Sequence, residues 1–203
     1  MNNTKEKILN TALLLFAENG YEAVSVNKIA GKLGITKGAL YKHYKNKRDI
    51  FDSIVKRMYE VDAKRSNQYD VPKENYDTDP AGYDTVTLNN IKSFTLAQLL
   101  FWTEDDFASN FRKMLSLERY RNSEIAELYG NCVTFGPVAY MKDIFDRMIA
   151  NGIIKPQNSK ELAIEYYATL YLMIEMSDGS DNKKEYTELL EQHIENFITQ
   201  HKI

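Results

Sequence analysis

The chain has 203 residues, which is enough for one sizeable hydrophobic core or for a small N-terminal domain beside a larger one. Its single cysteine, Cys132, excludes an intrachain disulfide and suits a reducing compartment, and no apolar run has the length of a membrane span or the flanks of a signal peptide. The net charge of -3 is unevenly divided, because residues 1–65 hold 13 Lys and Arg against 7 Asp and Glu, whereas the other 138 residues hold 13 against 22. We therefore expect a cytoplasmic protein without membrane contact, whose affinity for a phosphate backbone is confined to the basic N-terminal region.

Two amphipathic helices are predicted before residue 34. Thr4 is a plausible N-cap, and apolar residues at steps of three and four continue as far as Phe16, before Gly20 ends the helix. Ser25 can cap the second helix, or contact a phosphate if DNA is bound, and the residues alone leave these two roles about even. The second helix has one apolar face, formed by Val26, Ile29, Ala30 and Leu33.

A turn and a short polar helix follow. Gly34 supplies the positive φ that a turn needs, Ile35 fills the angle between the helices, and Thr36 is a good N-cap. Only Leu40 and Tyr44 then face inward, which leaves small, cationic and hydrogen-bonding side chains on the other faces: Lys37, Gly38, Ala39, Tyr41, Lys42 and His43. This composition is typical of a recognition helix that enters a major groove. The alternative is a solvated surface helix in an ordinary bundle.

A long third amphipathic segment begins near Asn46, which can cap it, and runs to about Arg65. Asp49 in its first turn suits both the free backbone amides and the helix dipole. Lys47 lies in the same turn, where a cation is unfavourable for a lone helix and favourable beside a bound phosphate. The position of Lys47 therefore indicates an anion nearby.

Several of these short motifs form one set: residues 8–16, Gly20-Tyr21, 25–30, 34–38, 40–41, 43–44, and Lys47 before Ile50-Phe51. This set, from residue 4 to about 56, resembles the DNA-binding region of the TetR family of repressors, although Tyr44 stands where that family usually has Phe. The resemblance implies contacts with double-stranded DNA. Contacts with bases or nearby backbone are implied for Thr36, Lys37, Gly38, Ala39, Tyr41 and Lys42, and contacts with phosphates for Ser25, Tyr41, His43 and Lys47.

The next segment, residues 66–84, is polar and broken by Pro72, Pro80 and Gly82, so we expect a link between two domains. We hypothesise that its three tyrosines let it fold over the C-terminal body (residues 85–203) as a flap: Tyr69, Tyr76 and Tyr83.

The body is predicted to be a bundle of short, crossed helices. Its aromatic side chains and a few polar ones could line an apolar small-molecule pocket: Phe101, Trp102, Phe111, Met114, Glu118, Tyr120, Tyr129, Phe135, Tyr140, Tyr167 and Tyr171. Core packing is the better interpretation for any one of them, and the pocket rests mainly on the family resemblance. Glu118 and Glu175 could orient a cationic ligand if they face inward, but solvated glutamates are commoner.

The last two predicted helices are apolar over much of their circumference and could pair across a two-fold axis with a second copy. The expected interface residues are Tyr166, Leu170, Met173, Leu190, Ile194, Phe197 and Ile198. In the resembled family the last two long helices form the dimer. A homodimer is therefore expected.

The sequence thus predicts an all-α protein: a helix-turn-helix domain (1–48), a connecting helix (49–65), a polar link (66–84), and a ligand-binding and dimerisation domain (85–203). The expected function is a transcription regulator, by preference a repressor, that binds a palindromic operator as a homodimer and is released by a small apolar or aromatic effector. Two other classes stay open: a regulator controlled by a protein partner with no small-molecule pocket, and a helical enzyme whose N-terminal region is vestigial.

Catalysis finds little support in the sequence. The three histidines, His43, His193 and His201, lack metal-ligand spacing, and there is neither a phosphate-binding glycine loop nor a nucleophile elbow. No catalytic residue, metal or cofactor is predicted.

Overall fold

The computed structural model describes residues 3–73, 76–180 and 182–203. Helices dominate these residues: α1 (Asn3–Asn19), α2 (Val26–Lys32), α3 (Lys37–Tyr41), α4 (Lys47–Gln68), α5 (Pro80–Thr85), α6 (Leu88–Glu104), α7 (Asp106–Glu118), α8 (Ser123–Val133), α9 (Phe135–Ala150), α10 (Ser159–Ser177) and α11 (Lys183–His201). An isolated antiparallel bridge joins Ile154 and Lys202. The predicted all-α class is confirmed.

The helices divide into two compact units. The first unit contains the residues up to Val61 and Asp105–Tyr129, and the second contains Asp62–Glu104 and Gly130–Ile203. The predicted boundaries assigned α7 to the body, whereas in the structure α7 packs along α1. The cause is the apolar face of α7, which is completely buried at Ala108, Phe111, Met114 and Leu115.

Helix α1 has the expected apolar face, with Ile8, Ala12 and Phe16 fully buried. It begins at Asn3, so Thr4 lies in its first turn rather than at the predicted cap. Gly20 ends the helix with φ of +84°, and its N–H donates to the Phe16 carbonyl at 2.9 Å.

A Schellman motif forms the turn between α2 and α3. The Gly34 N–H donates to the Gly31 carbonyl at 3.1 Å, and the Ile35 N–H donates to the Ala30 carbonyl at 3.0 Å. Gly34 has φ of +65°, as its predicted role in the turn requires. The chain therefore leaves α2 with its last carbonyl groups satisfied and enters α3 at a fixed angle.

The start of α4 is fixed by side-chain caps. Asn46 Oδ1 accepts from the Asp49 N–H at 2.8 Å, and Asp49 Oδ2 accepts in turn from the Lys45 N–H at 2.8 Å. The helix buries Ile50 and Ile54 and runs to Gln68, three residues beyond the predicted end.

The segment predicted as a polar link packs within the second unit, where α5 buries Tyr83. The Tyr83 ring lies 6.0 Å from that of Tyr140, whose hydroxyl donates to the Pro72 carbonyl at 2.9 Å. At the other end of the segment, the Tyr69 ring lies 5.9 Å from the Phe94 ring on α6. These aromatic contacts anchor the segment to α6 and α9.

Three aromatic rings form the centre of the second unit. Tyr166 lies 5.6 Å from Phe145 and 4.9 Å from Phe197, measured between ring centroids. The Tyr166 hydroxyl and Thr95 Oγ1 form a buried hydrogen bond of 2.9 Å. Helix α10 therefore packs against α6, α9 and α11, which explains why much of its circumference is apolar.

Replacing Gly34 with Ala should destabilise the first unit by about 1 kcal/mol, because a Cβ is unfavourable at positive φ. Gly31 is the matched control, since it lies within α2 and a Cβ would meet no atom within 4 Å at either glycine. Gly31→Ala should leave stability unchanged or raise it by up to about 1 kcal/mol. Urea unfolding followed by circular dichroism would contradict this account if both variants unfolded at the same midpoint.

Candidate nucleic-acid interface

Helix α3 is held in place by two buried side chains on its inner side. Leu40 is fully buried, and Tyr44, just beyond the helix, is almost fully buried. The Tyr44 hydroxyl donates to the Lys5 carbonyl of α1 at 3.3 Å. Burial, together with the nearby carboxylates of Glu6 and Asp49, raises the pKa of Tyr44 to about 12.

The outer side of α3 carries the residues predicted to contact DNA. Ala39 is half-buried and the rest of the set is exposed: Thr36, Lys37, Gly38, Tyr41, Lys42 and His43. The Lys37 ammonium lies 5.6 Å from the centroid of the Tyr41 ring, which is 43% exposed. Packing therefore explains Leu40 and Tyr44 but not this polar and aromatic surface.

Helix α3 is shorter than the predicted recognition helix, because it ends at Tyr41. Lys42 is the C-cap, and the His43 N–H donates to the Leu40 carbonyl at 2.9 Å in the turn that follows. Lys42 and His43 are therefore presented from the C-terminal end of α3 and not along its length.

Two hydroxyl groups cap the helices of this motif. Ser25 Oγ accepts from the Lys28 N–H at 3.2 Å, and Thr36 Oγ1 accepts from the Ala39 N–H at 3.1 Å. A hydroxyl that accepts in this way keeps its own hydrogen as a donor. Since both residues are exposed, each hydroxyl can cap its helix and still donate to a phosphate oxygen.

Lys47 has an internal role that its sequence position did not indicate. Its ammonium donates to the carbonyl oxygens of Tyr21 at 2.9 Å and Glu22 at 3.4 Å, and lies 4.2 Å from the centroid of the Tyr21 ring. The Lys47 side chain is 23% exposed. Lys47 thus ties the start of α4 to the α1–α2 link (residues 20–25), and its contact with a phosphate remains a prediction.

Some cations of the first unit are already neutralised by ion pairs. The Arg48 guanidinium pairs with Asp52 at 2.6 Å and with Glu124, where it lowers the pKa of the Glu124 carboxyl. Arg57 pairs with Glu6. Two exposed lysines outside the predicted DNA-contact set add positive charge to α2 and to the α3–α4 link: Lys32 and Lys45.

The predicted pocket residues fall in both units. In the first unit, Phe111, Met114 and Glu118 are buried on α7 and Tyr129 is buried on α8, while Tyr120 is largely exposed. In the second unit, Phe101 and Trp102 are buried, Phe135 is exposed, and Tyr140 and Tyr171 are half-buried. Tyr167 is buried, and its hydroxyl donates to the Val133 carbonyl at 2.8 Å. A pocket in the second unit remains a prediction.

The predicted interface residues on α10 and α11 lie mostly inside the chain itself. Ile198 is half-buried, and the others are buried: Tyr166, Leu170, Met173, Leu190, Ile194 and Phe197. The large apolar side chains that these helices expose are a different set: Ile164, Leu172, Met176 and Leu189. If these helices pair with a second copy, that second set is the apolar surface they can offer.

Within the residues that the structure describes, no three His, Cys, Asp or Glu side chains are grouped so that they could hold a metal ion. In the same residues, no helix combines the length and the apolar composition that crossing a membrane requires.

Comparison with known proteins finds a family model that matches the N-terminal region. Residues 8–54 match the family model of the bacterial regulatory proteins of the tetR family. The chain is 44% identical over 55 residues to the transposon Tn10 TetC protein of Escherichia coli, a match that covers 27% of this chain and 28% of TetC. The resemblance noted from the sequence motifs is thereby confirmed.

Other relatives extend the match beyond the N-terminal region. The chain is 26% identical over 121 residues to IcaR of Staphylococcus epidermidis, the negative transcriptional regulator of a biofilm operon, over 60% of this chain and 58% of IcaR. Among solved structures, the complex of SmeT with triclosan superposes with a TM-score of 0.72 at 15% identity, over 99% of this chain and 92% of SmeT. TetC and IcaR are therefore matched over only 28% and 58% of their length, and the likeness to SmeT shows a shared fold over nearly the whole chain.

Proposed function

We propose that this protein is a transcription regulator whose α2–α3 pair reads double-stranded DNA, because residues 8–54 match the family model of the bacterial regulatory proteins of the tetR family. The observation that carries the proposal is the outer side of α3. Lys37, Lys42, Tyr41 and Gly38 are exposed there, while Leu40 and Tyr44 are buried and fix the helix from beneath.

The chemistry of this surface suits a major groove. Gly38 and Ala39 near the start of α3 leave room for close approach to base edges. Lys37 and Lys42 can donate to bases or to phosphates, and the Tyr41 hydroxyl can donate to the backbone. The Ser25 and Thr36 hydroxyls add donors at the starts of α2 and α3, where the helix dipoles also favour an anion.

A helix of five residues can reach only a few base pairs, so we infer that two copies act together on a palindromic operator. Pairing would use the apolar residues that α10 and α11 expose, of which Ile164, Leu172 and Met176 follow one another at multiples of four on α10. We propose repression as the direction of regulation, in line with the negative regulator IcaR.

We propose that a small apolar or aromatic effector controls DNA binding from the second unit. The support is the aromatic content of that unit, which includes the half-buried Tyr140 and Tyr171 and the buried Phe101 and Trp102, and the triclosan complex of the structural neighbour SmeT. Such an effector changes DNA affinity only by its difference in affinity for the DNA-binding and non-binding conformations.

Replacing Lys37 with Ala should weaken operator binding by about 1–3 kcal/mol and alter base preference, because a donor to base edges is lost. Tyr41→Ala should weaken binding to all sequences alike, since its partner is the phosphate backbone. Lys113→Ala is the matched control, because it removes an exposed lysine from α7 in the same unit. Gel-shift titration on duplexes selected by the wild type tests this, and equal affinity of Lys37→Ala and Lys113→Ala would exclude α3 as the reader.

Introducing a charge into the exposed stripe of α10 should separate the proposed dimer. Leu172 is 52% exposed, and Leu172→Glu should yield monomers by sedimentation and weaken operator binding at least about tenfold, because two half-sites are no longer bound by one particle. Leu100→Glu, at an exposed leucine of α6, is the control and should remain dimeric. A Leu172→Glu protein that sediments as a dimer would show that pairing uses another surface.

A further inference from the structure

Glu118 is a buried carboxylate that touches the α1–α2 link of the first unit. Glu118 is the last residue of α7 and is 2% exposed. Its Oε1 accepts a hydrogen bond from the Glu22 N–H, with 3.4 Å between the oxygen and the nitrogen. Removing a carboxylate from water is costly unless the group has defined partners. The sequence suggested Glu118 as a pocket residue, whereas the structure places its carboxylate beside a main-chain segment that leads to the DNA-reading helices.

Gly20 makes this approach possible. A Cβ at residue 20 would overlap with Glu118 Oε1, and the backbone there has φ of +84°, which other residues rarely adopt. Because Gly20 has no side chain, it can both end α1 at positive φ and leave room for the Glu118 carboxylate.

The same link is held by an opposite charge from another helix. The Lys47 ammonium of α4 binds the carbonyl oxygens of Tyr21 and Glu22, while the Glu118 carboxylate of α7 accepts the Glu22 N–H. The Tyr21 ring packs at 5.1 Å from both Phe16 and Phe51. Lys47, Glu118 and the two phenylalanine rings thus fix Tyr21 and Glu22. Ser25, which caps α2, follows only three residues later.

We propose that Glu118 is a positioning residue for DNA binding: by fixing the α1–α2 link from α7, it sets the placement of α2 and Lys47 that phosphate contact requires. This inference rests on the proposed function. Glu118 itself touches no DNA in this account, and its contribution is made through the main chain at Glu22 and through the link that Lys47 shares.

Two substitutions of Glu118 separate the effect of its side-chain length from the effect of its charge. Glu118→Asp keeps the carboxylate but withdraws it from the Glu22 N–H, and should weaken binding to a wild-type-selected duplex about tenfold. Glu118→Gln keeps an oxygen within reach and should bind within about threefold of wild type. Glu127→Ala, which removes an exposed carboxylate of α8 in the same unit, controls for net charge. Hydrogen exchange should be faster at the Glu22 amide in Glu118→Asp than in Glu118→Gln.

A role in stability alone would lower the melting temperature of Glu118→Asp without changing the affinity of the folded protein, and that result overturns the proposal. Equal affinities of the Asp and Gln variants would do so as well.

Adding Lys47→Ala should shrink the effect of Glu118→Asp to less than about threefold, because both residues hold one link. If the wild type selects no duplex, the proposed function fails, and exchange at the Glu22 amide still decides whether Glu118 holds the link.

Discussion

The burial of Leu40 and Tyr44 beneath α3 is the interaction on which the proposed DNA-reading surface depends. A helix of five residues is too short to be stable by itself, so tertiary contacts must supply its stability. Leu40 provides apolar burial, and Tyr44 adds a hydrogen bond to the first turn of α1. Because Leu40 and Tyr44 supply the packing of α3, the residues on its outer side can be suited to the proposed DNA contact and do not have to stabilise the fold.

Around this contact, charged and polar side chains of the first unit form hydrogen bonds with main-chain groups. Lys47 and Glu118 hold the α1–α2 link through carbonyl and amide groups, and Asp49 and Asn46 fix the start of α4 in the same manner. Such bonds define positions more narrowly than apolar contact does, because hydrogen-bond geometry is directional. The proposed contact with regularly spaced phosphates requires such defined positions.

Local chemistry made much of this region predictable. The caps at Ser25, Thr36 and Asn46 and the positive φ at Gly34 depend on residues within five positions of one another, and all four are present in the structure. The partners of Lys47 lie 25 and 26 residues away and the partner of Glu118 lies 96 away, and no local pattern reports such distances.

In the second unit, prediction from the sequence is limited by a different factor. Helix α10 is apolar over so much of its circumference that periodicity cannot tell the face that packs on the chain from the face left exposed, so residues such as Tyr166 and Leu170 were expected at an interface but lie in the core. Likewise, the apolar stripe of α7 indicated burial but not that α1 would cover it. Periodicity identifies a buried face, whereas the partner of that face is decided by the tertiary fold.

Hydroxyl-radical footprinting of the protein on a selected duplex tests the central claim most directly, because it maps where a paired reading surface lies on DNA. The account predicts two protected regions related by a two-fold axis, with centres about one helical turn, or a multiple of it, apart. A single protected region, or two regions on opposite faces of the duplex, would contradict it.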